Sequence, residues 1–181
     1  MDGILFQTSI LFVPLIFSGV LHMAVVRADL LPALKIPIHR PWFGANKTWR
    51  GAVVMPMLTV VGCFLAREIE QSAASHPAVG FGQAHPLWLG LMLGSAYILS
   101  ELPNSYIKRR RGIAPGKLPE EQRFWFALGD QGDSAIGCVL VYWLFFGIDW
   151  TVALTFLILG TALHLCFNVV LYWFGLRKNP L

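Results

Sequence analysis

The sequence predicts an all-α, polytopic membrane protein with five transmembrane helices, an outside N-terminus and a cytoplasmic C-terminus. Of its 181 residues, 56% are hydrophobic and 13% are charged, and 13 Phe and 7 Trp are present. A soluble domain of this size does not bury so much apolar surface, so a bilayer must provide the apolar surroundings. Five spans of about 20 residues with their connections use the whole length, which predicts a single integral membrane domain.

The first three predicted spans lie at residues 4–26, 51–66 and 87–102. The first follows Asp2 rather than the basic cluster that opens a signal peptide, so we expect a retained helix. The second lies between Arg50 and Arg67, and it crosses the apolar core only if its ends reach towards the interface. The third becomes polar at its end, where we expect Pro103 to kink or end the helix.

The last two spans come from one apolar stretch, 134–173, which is interrupted near its middle by residues 147–149, Gly-Ile-Asp. At a rise of about 1.5 Å per residue, this stretch is roughly twice as long as one span requires. We therefore divide it at Asp149 into spans at 134–148 and 150–174. Two long polar loops remain, at 27–50 and 103–133.

The distribution of Lys and Arg predicts the orientation. Of the 14 basic residues, five lie between the first two spans, one in the next loop, six after the third span, none in the turn at Asp149 and two in the tail. Since cytoplasmic loops carry an excess of Lys and Arg, this alternation places both long loops in the cytoplasm. The net charge of +4 is then explained by loops that face anionic lipid headgroups, and nucleic-acid binding is not expected.

The first long loop carries a polar segment between two Trp residues, at the start of the second span. Asn46, Lys47, Thr48 and Arg50 supply donors suited to phosphate oxygens, and the N–H groups at the start of the next helix add a fixed positive end. The segment is not a P-loop, because the glycine spacing is absent. Positive-inside residues with interfacial Trp anchors are an equal alternative for this segment alone.

One face of the third span carries small residues that run into polar ones. On a helical period these are Gly90, Gly94, Tyr97, Glu101, Ser105 and Lys108. A carboxylate at the end of a span is costly unless it is paired or coordinates a metal, so Glu101 is a functional candidate, with an ion pair to Lys108 or a nearby Arg as the alternative. Lys108 and Arg109 are the better phosphate ligands, whereas Arg110 and Arg111 are typical of headgroup binding.

Two carboxylates, Asp130 and Asp133, lie three residues apart just before the fourth span. If a helix begins there, both lie on the same side of its first turn, a spacing suited to sharing one Mg²⁺. Capping of the helix is the alternative and needs no metal. Glu101 and two basic loops on the same membrane face favour the metal site.

The sequence shows no Ser-His-Asp or Cys-His set, and only His39 lies on the predicted cytoplasmic side. The absence of such a set in the sequence favours a reaction that needs no catalytic base from the protein. Phosphoryl or nucleotidyl transfer to an oxygen that is already an anion needs no protein base, only positioning, a metal and cationic clamps.

Three motifs, in this order, resemble those of the CDP-archaeol synthase family, relatives of phosphatidate cytidylyltransferase. Residues 46–51, NKTWRG, look like that family's D-G-K-T-x-R-G. Residues 101–112, ELPNSYIKRRRG, resemble its D-x3-S-F-x-K-R-R-x-G, and residues 130–133, DQGD, its D-Q-x-D. Two departures stand out: Glu101 replaces the usual Asp, and Pro103 with Asn104 replaces small residues.

The resemblance implies a CTP-dependent enzyme in which a lipid phosphate attacks the α-phosphorus of CTP, Mg²⁺ neutralises the phosphates and pyrophosphate leaves. By position it implies Asp130 and Asp133 as metal ligands, joined by Glu101, with Lys108 also at the catalytic centre. The implied nucleotide and phosphate ligands are Asn46, Lys47, Thr48, Arg50, Ser105, Lys108 and Arg109.

We therefore expect a cytidylyltransferase that makes a CDP-lipid, embedded in the cell membrane with its active site facing the cytoplasm. The alternative is a non-catalytic membrane protein that binds anionic lipid or a partner protein. A transporter of phosphorylated solutes is less favoured, because two His are the main ionisable residues within the spans. A homodimer is also open, with the Gly90 and Gly94 stripe either between subunits or within one.

Overall fold

The computed structural model describes residues 2–73, 75–76, 78–117 and 123–173. Across these ranges the fold is all-helical, with no β-strand beyond an isolated bridge between Pro37 and Thr48, which confirms the predicted all-α class. The helices are α1 (Asp2–Arg27), α2 (Arg40–Phe43), α3 (Trp49–Ser72), α4 (Pro86–Arg110), α5 (Arg123–Phe146) and α6 (Trp150–Trp173).

Among the described residues, two helices are long and apolar enough to cross a membrane: Gly3–Arg27, within α1, and Trp49–Ser72, which is α3. A shorter apolar segment, Trp150–Cys166, lies in α6. α4 and α5 each join an apolar half to a polar one. A long helix thus stands at each of the five predicted spans, and their crossing of the bilayer stays a prediction.

Three helices extend into the polar segments beyond the predicted spans. α3 continues from the predicted end at residue 66 to Ser72. α4 runs through Pro103 to Arg110, so the proline does not end it; the packing of α4 on α5 outweighs the one backbone hydrogen bond that a proline removes. α5 begins at Arg123, so Asp130 and Asp133 lie roughly two to three turns inside the helix. The expected helix start beside these acids is wrong, and so is the capping alternative, because unsatisfied N–H groups occur only in a helix's first turn.

Each long helix packs on two others, so the bundle closes on itself. α3 packs on α1 and α4, α5 packs on α4 and α6, and α6 returns to α1. Between α1 and α6, Phe12 stacks on Phe156 with ring centroids 4.4 Å apart. Buried Tyr142 of α5 donates its hydroxyl to the carbonyl of Leu11 at 2.7 Å. This apolar centre fixes the helices around a polar region at one end of α4 and α5.

Glycines allow α4 to touch both neighbouring helices at backbone distance. A Cβ atom at Gly90 would lie 2.4 Å from Cα of Val60, and one at Gly94 would lie 2.4 Å from Cα of Pro56. The predicted glycine stripe therefore packs α4 against α3 within one chain, which decides the alternative that the sequence left open. A Cβ at Gly137 of α5 would lie 2.7 Å from a backbone oxygen of α4. Side chains at the end of α4 are thus held close to those of both neighbours.

Candidate active site

A cavity of about 210 Å³ opens where the polar ends of α4 and α5 meet the segment between α2 and α3. Its lining residues are Phe43, Asn46, Lys47, Glu101, Asn104, Ser105, Lys108, Arg109, Gly116, Lys117, Ala127, Asp130 and Asp133. Acids and cations dominate this lining. Such a composition suits a ligand that carries many charges, not an apolar one.

The segment before α3 places Lys47 beside the acid of α4. Its backbone is held extended by hydrogen bonds from the N–H of Ile38 to the carbonyl of Lys47 and from the N–H of Trp49 to the carbonyl of Ile36, both 2.9 Å. The ammonium of Lys47 forms an ion pair with the carboxylate of Glu101. Two motifs that are far apart in the sequence therefore meet through opposite charges.

Lys108 and Asn104, one turn apart on α4, contact the acids of α5. The ammonium of Lys108 forms an ion pair with Asp130, so Lys108 is not the partner of Glu101 that one sequence-based alternative proposed. The side-chain amide of Asn104 donates to Asp130 Oδ1 at 2.7 Å and to Asp133 Oδ2 at 3.0 Å. One amide group therefore bridges the two acids.

Asp133 forms no ion pair with a Lys or Arg of the described residues. Besides Asn104, its carboxylate accepts a hydrogen bond of 2.6 Å from the backbone N–H of Ser134, where the apolar half of α5 begins. Burial raises the pKa of Asp133 to about 7, and the hydrogen bond from Asn104 opposes this rise. A buried carboxylate without a countercharge is a position that favours a cation.

Arg109 is the matching cation, since it forms no ion pair with a described residue. Its Nε and Nη1 atoms are buried and have no hydrogen-bond acceptor in the part of the chain that the structure describes, and the residue lines the cavity. Buried donors are rarely left in this state, because the missing acceptor costs free energy. Ser105 and Asn46 add neutral donors to the same cavity. The group favours an anion with several oxygens, such as a phosphate.

Two predicted phosphate ligands lie outside the cavity lining. Thr48 is the residue immediately before α3. Arg50 is buried and donates to Asp29 Oδ1 at 2.8 Å and to the carbonyl of Leu30 at 3.1 Å. Hydrogen bonds from Lys35 and then from Arg50 lower the pKa of Asp29. Arg50 therefore ties the first long loop to α3 and does not line the cavity.

The residues predicted from the sequence did not include five of the lining residues: Phe43, Asn104, Gly116, Lys117 and Ala127. A signal for Asn104 was available, because it precedes Lys108 by four residues and shares its helix face. Lys117 had none, since it reaches the cavity only through the fold of the loop after α4. There Pro115 packs on Gly44, whose φ is 87° and where a Cβ would lie 3.0 Å from the proline ring.

The chemistry of the three acids fits a magnesium ion. Mg²⁺ prefers carboxylate oxygens, and Glu101, Asp130 and Asp133 line one cavity. As these side chains stand, no group of three or more His, Cys, Asp or Glu among the described residues surrounds a common metal position. Glu101 and Asp130 are paired with lysines, so a metal that binds these carboxylates competes with the two ammonium groups.

Comparison with known proteins identifies related sequences. A family model described as CDP-archaeol synthase matches residues 36–181, a range that includes all three motifs. The CDP-archaeol synthase of Staphylothermus marinus is 30% identical, over 87% of this chain and 88% of that protein. Those of Methanoculleus marisnigri and Methanosarcina acetivorans are 28% and 30% identical, each over 76% of this chain and over 80% and 81% of the relative. No solved structure matches the chain significantly.

Proposed function

Because the chain belongs to the CDP-archaeol synthase family, as its motifs predicted, we propose that it is a membrane-embedded cytidylyltransferase that transfers CMP from CTP to a lipid phosphate. The products are a CDP-lipid and pyrophosphate. One observation carries the proposal: the acids of α4 and α5 share a cavity with Lys47, Lys108 and Arg109. A metal-bound triphosphate combines the two kinds of charge that this lining complements.

The reaction requires little proton chemistry from the protein. An oxygen of the lipid phosphate, already an anion, forms a bond to the α-phosphorus of CTP while the bond to the pyrophosphate oxygen breaks. The negative charge stays on phosphate oxygens throughout, so positioning and cationic stabilisation are the main requirements. Lys47, Lys108 and Arg109 supply the cations, and Asn46 and Ser105 supply neutral donors.

Asp130, Asp133 and Glu101 would hold the Mg²⁺ ion. When bound, the ion offsets the charge of the phosphates that meet in the cavity. Asn104 keeps Asp130 and Asp133 facing the same amide group, so the two acids stay on one side of α5. Glu101 and Asp130 would meet the ion in competition with the lysines that they are paired with, whereas Asp133 has no such ion pair among the described residues.

The proposal includes the predicted topology: the protein crosses the cell membrane five times, with its N-terminus outside and its active site facing the cytoplasm. Support comes from connectivity, because the cavity is lined by the segment that leads into α3, by the end of α4 and by α5. These are the two predicted cytoplasmic loops, which carry most of the Lys and Arg residues. CTP is a cytoplasmic metabolite in this scheme, and the acceptor's chains stay in the bilayer.

The direct test is synthesis of a CDP-lipid by the purified protein. The protein in detergent receives CTP, Mg²⁺ and a panel of lipid phosphates, namely a dialkyl glycerol phosphate, a phosphatidate and a prenyl phosphate. Pyrophosphate release and mass spectrometry of the lipids are the readouts. We expect one class of acceptor to be converted, and we expect Asp133→Asn to abolish conversion with unchanged thermal unfolding.

Release of pyrophosphate that survives both Asp130→Asn and Asp133→Asn would contradict the mechanism. The non-catalytic alternative, a binder of anionic lipid or of a partner protein, predicts no conversion of any acceptor. It has lost one support, because Asp130 and Asp133 lie within α5 and do not cap it.

A further inference from the structure

We propose that Lys47 and Lys108 are specificity-determining residues that make this cavity bind a divalent metal and a nucleotide together in preference to either one alone. The inference rests on the proposed function, since it concerns the same cavity. It goes further by assigning the two lysines a role before the ligands arrive, as the resident counter-cations of two acids.

Without ligands, two acids in the cavity are neutralised by two lysines. Glu101 is neutralised by Lys47, and Asp130 is neutralised by Lys108. The side chains of Lys47 and Glu101 are only 23% and 18% exposed. Lys108 is 9% exposed and Asp130 33%. Water therefore screens these charges weakly, and separating either pair is costly unless both members find new partners.

A metal that binds without the nucleotide competes with these lysines. At Asp130 both carboxylate oxygens accept hydrogen bonds from the ammonium of Lys108, so a metal that binds there displaces this ammonium. The displaced Lys108 then remains in the cavity without an anion and has little access to water in which to be solvated. At Glu101 the ammonium of Lys47 contacts one oxygen, Oε2, and a metal on this carboxylate weakens that ion pair because the two cations repel each other. Each new metal–carboxylate contact is thus offset by a displaced or repelled cation, so the metal alone binds weakly.

A nucleotide that binds without the metal disturbs the same ion pairs. Its phosphates attract Lys47 and Lys108, but a lysine that turns to a phosphate leaves its carboxylate uncompensated beside the added negative charge. With both ligands present, the acids turn to the metal and the lysines to the phosphates. Each of the two acids and two lysines then remains next to a group of opposite charge, so the binding of one ligand removes the electrostatic cost of binding the other.

Asp133 and Arg109 mark where this exchange begins. Neither is ion-paired in the part of the chain that the structure describes, and Arg109 also has buried donors without acceptors. Asp133 can receive a metal and Arg109 a phosphate before any ion pair opens. The coupling between ligands therefore resides in the two lysine pairs and not in these unpaired residues.

The test measures binding and needs no catalysis. Mn²⁺ is a suitable probe, because free Mn²⁺ gives an electron paramagnetic resonance signal that is lost on binding. The Kd of Mn²⁺ is measured with and without CTP, and the Kd of CTP with and without Mn²⁺, in detergent and without acceptor lipid. Protein-free samples correct for the Mn²⁺–CTP complex that forms in solution. For the wild-type protein we expect each ligand to strengthen the other by about 10- to 100-fold, by the same factor in both directions.

Lys108→Met removes the resident cation and keeps much of the side-chain length. We expect it to strengthen binding of Mn²⁺ alone about 10-fold and to weaken binding of CTP. The coupling factor, by which each ligand strengthens binding of the other, should fall by about 10-fold or more. Lys108→Arg keeps the charge and should keep the coupling. Lys35→Met is the matched control, because it removes an exposed Lys–Asp pair, 2.9 Å long, that lies outside the cavity. Lys47→Met provides the same test on the second pair should Lys108→Met fail to fold.

The inference is overturned if the lysine-to-methionine variants leave binding of Mn²⁺ alone unchanged or weaker, or if the wild-type coupling factor is near one. In that second case, formation of a CDP-lipid would leave the proposed function intact. A wild-type protein that binds neither Mn²⁺ nor CTP and converts no acceptor would overturn both.

Discussion

Arg109 and Arg110 are neighbours in the sequence, yet their surroundings differ. Arg109 lines the cavity with buried Nε and Nη1 atoms that have no acceptor among the described residues. Arg110 is exposed, donates to the hydroxyl of Tyr106 at 2.9 Å and lies over its ring. Comparing substitutions of the two arginines therefore distinguishes specific binding of an anion from a general effect of positive charge.

Arg109→Met should raise the KM for CTP by about 10- to 100-fold, because a charge-assisted hydrogen bond to phosphate contributes about 1.5–3 kcal/mol. Arg110→Met should change the KM by less than about 3-fold, since its charge is exposed and screened. Initial rates of pyrophosphate release over a range of CTP concentrations measure both. Equal effects of the two substitutions would show that only net charge matters.

Asn104 offers a second test at the level of one residue. Asn104→Leu keeps the side-chain size and removes the amide that donates to Asp130 and Asp133. Loss of a group that orients metal ligands typically costs about 10- to 100-fold in activity or metal affinity. We expect a fall of that size, accompanied by a higher Mg²⁺ concentration at half-maximal rate.

Asn104→Ser keeps a short donor and should recover part of the rate, which a merely structural role would not predict. If the Mg²⁺ concentration at half-maximal rate were unchanged in Asn104→Leu, Asn104 would not position the metal-binding acids. The sequence predicted both acids, but it did not predict the amide that joins them, because partner choice depends on how α4 and α5 are rotated against each other.

At the scale of elements, the contact between α3 and α4 controls whether Lys47 reaches Glu101. This contact depends on glycine, since a Cβ at Gly94 would lie 2.4 Å from Cα of Pro56 and 2.9 Å from the hydroxyl of Thr59. Neither the backbone nor the buried threonine can move away freely. Any added atom here separates the two helices.

Gly94→Ala should destabilise the protein by about 1–3 kcal/mol, the usual range for overpacking, although alanine is the better helix former. Gly19→Ala in α1 is the matched control, because a Cβ there meets nothing within 4 Å; we expect it to be neutral or stabilising. Thermal unfolding in detergent, followed by tryptophan fluorescence, compares the two. Equal midpoints would show that the close α3–α4 contact contributes little to stability.

Hydropathy predicted where helices occur more reliably than where they end. It stops at the first polar residues, so the predicted third span ends at residue 102 and the fourth begins at residue 134. The helices continue to Arg110 and begin at Arg123, because polar side chains on them find partners across the α4–α5 contact. The cavity is built on these polar extensions, which a scan for apolar segments does not detect.

For the whole molecule, the sequence contained the composition of the site but not the arrangement of the bundle. The alternation of basic residues assigned the three motifs to one side, and the structure brings Glu101, Asp130 and Asp133 into one cavity. The order of helices around the bundle was not predictable, since a glycine stripe indicates a close contact without naming its partner. Arg50 shows the same limit: its motif suggested a phosphate ligand, and its nearest acid, Asp29, comes from a loop without a recognisable pattern.

The orientation of the bundle in the membrane is the last prediction, and single cysteines test it. Ser75 lies in the connection between α3 and α4, which is predicted to be outside, and exposed Lys35 lies in the first long loop, which is predicted to be cytoplasmic. Ser75→Cys and Lys35→Cys are made in a Cys166→Ser background, because Cys63 and Cys138 are buried. If Lys and Arg orient the chain as expected, a membrane-impermeant maleimide labels Ser75→Cys in intact cells and labels Lys35→Cys only after lysis. The reverse pattern would place the cavity on the outside of the cell and contradict the predicted orientation. Labelling of both cysteines in intact cells would contradict the prediction that the second span crosses the membrane between these two loops.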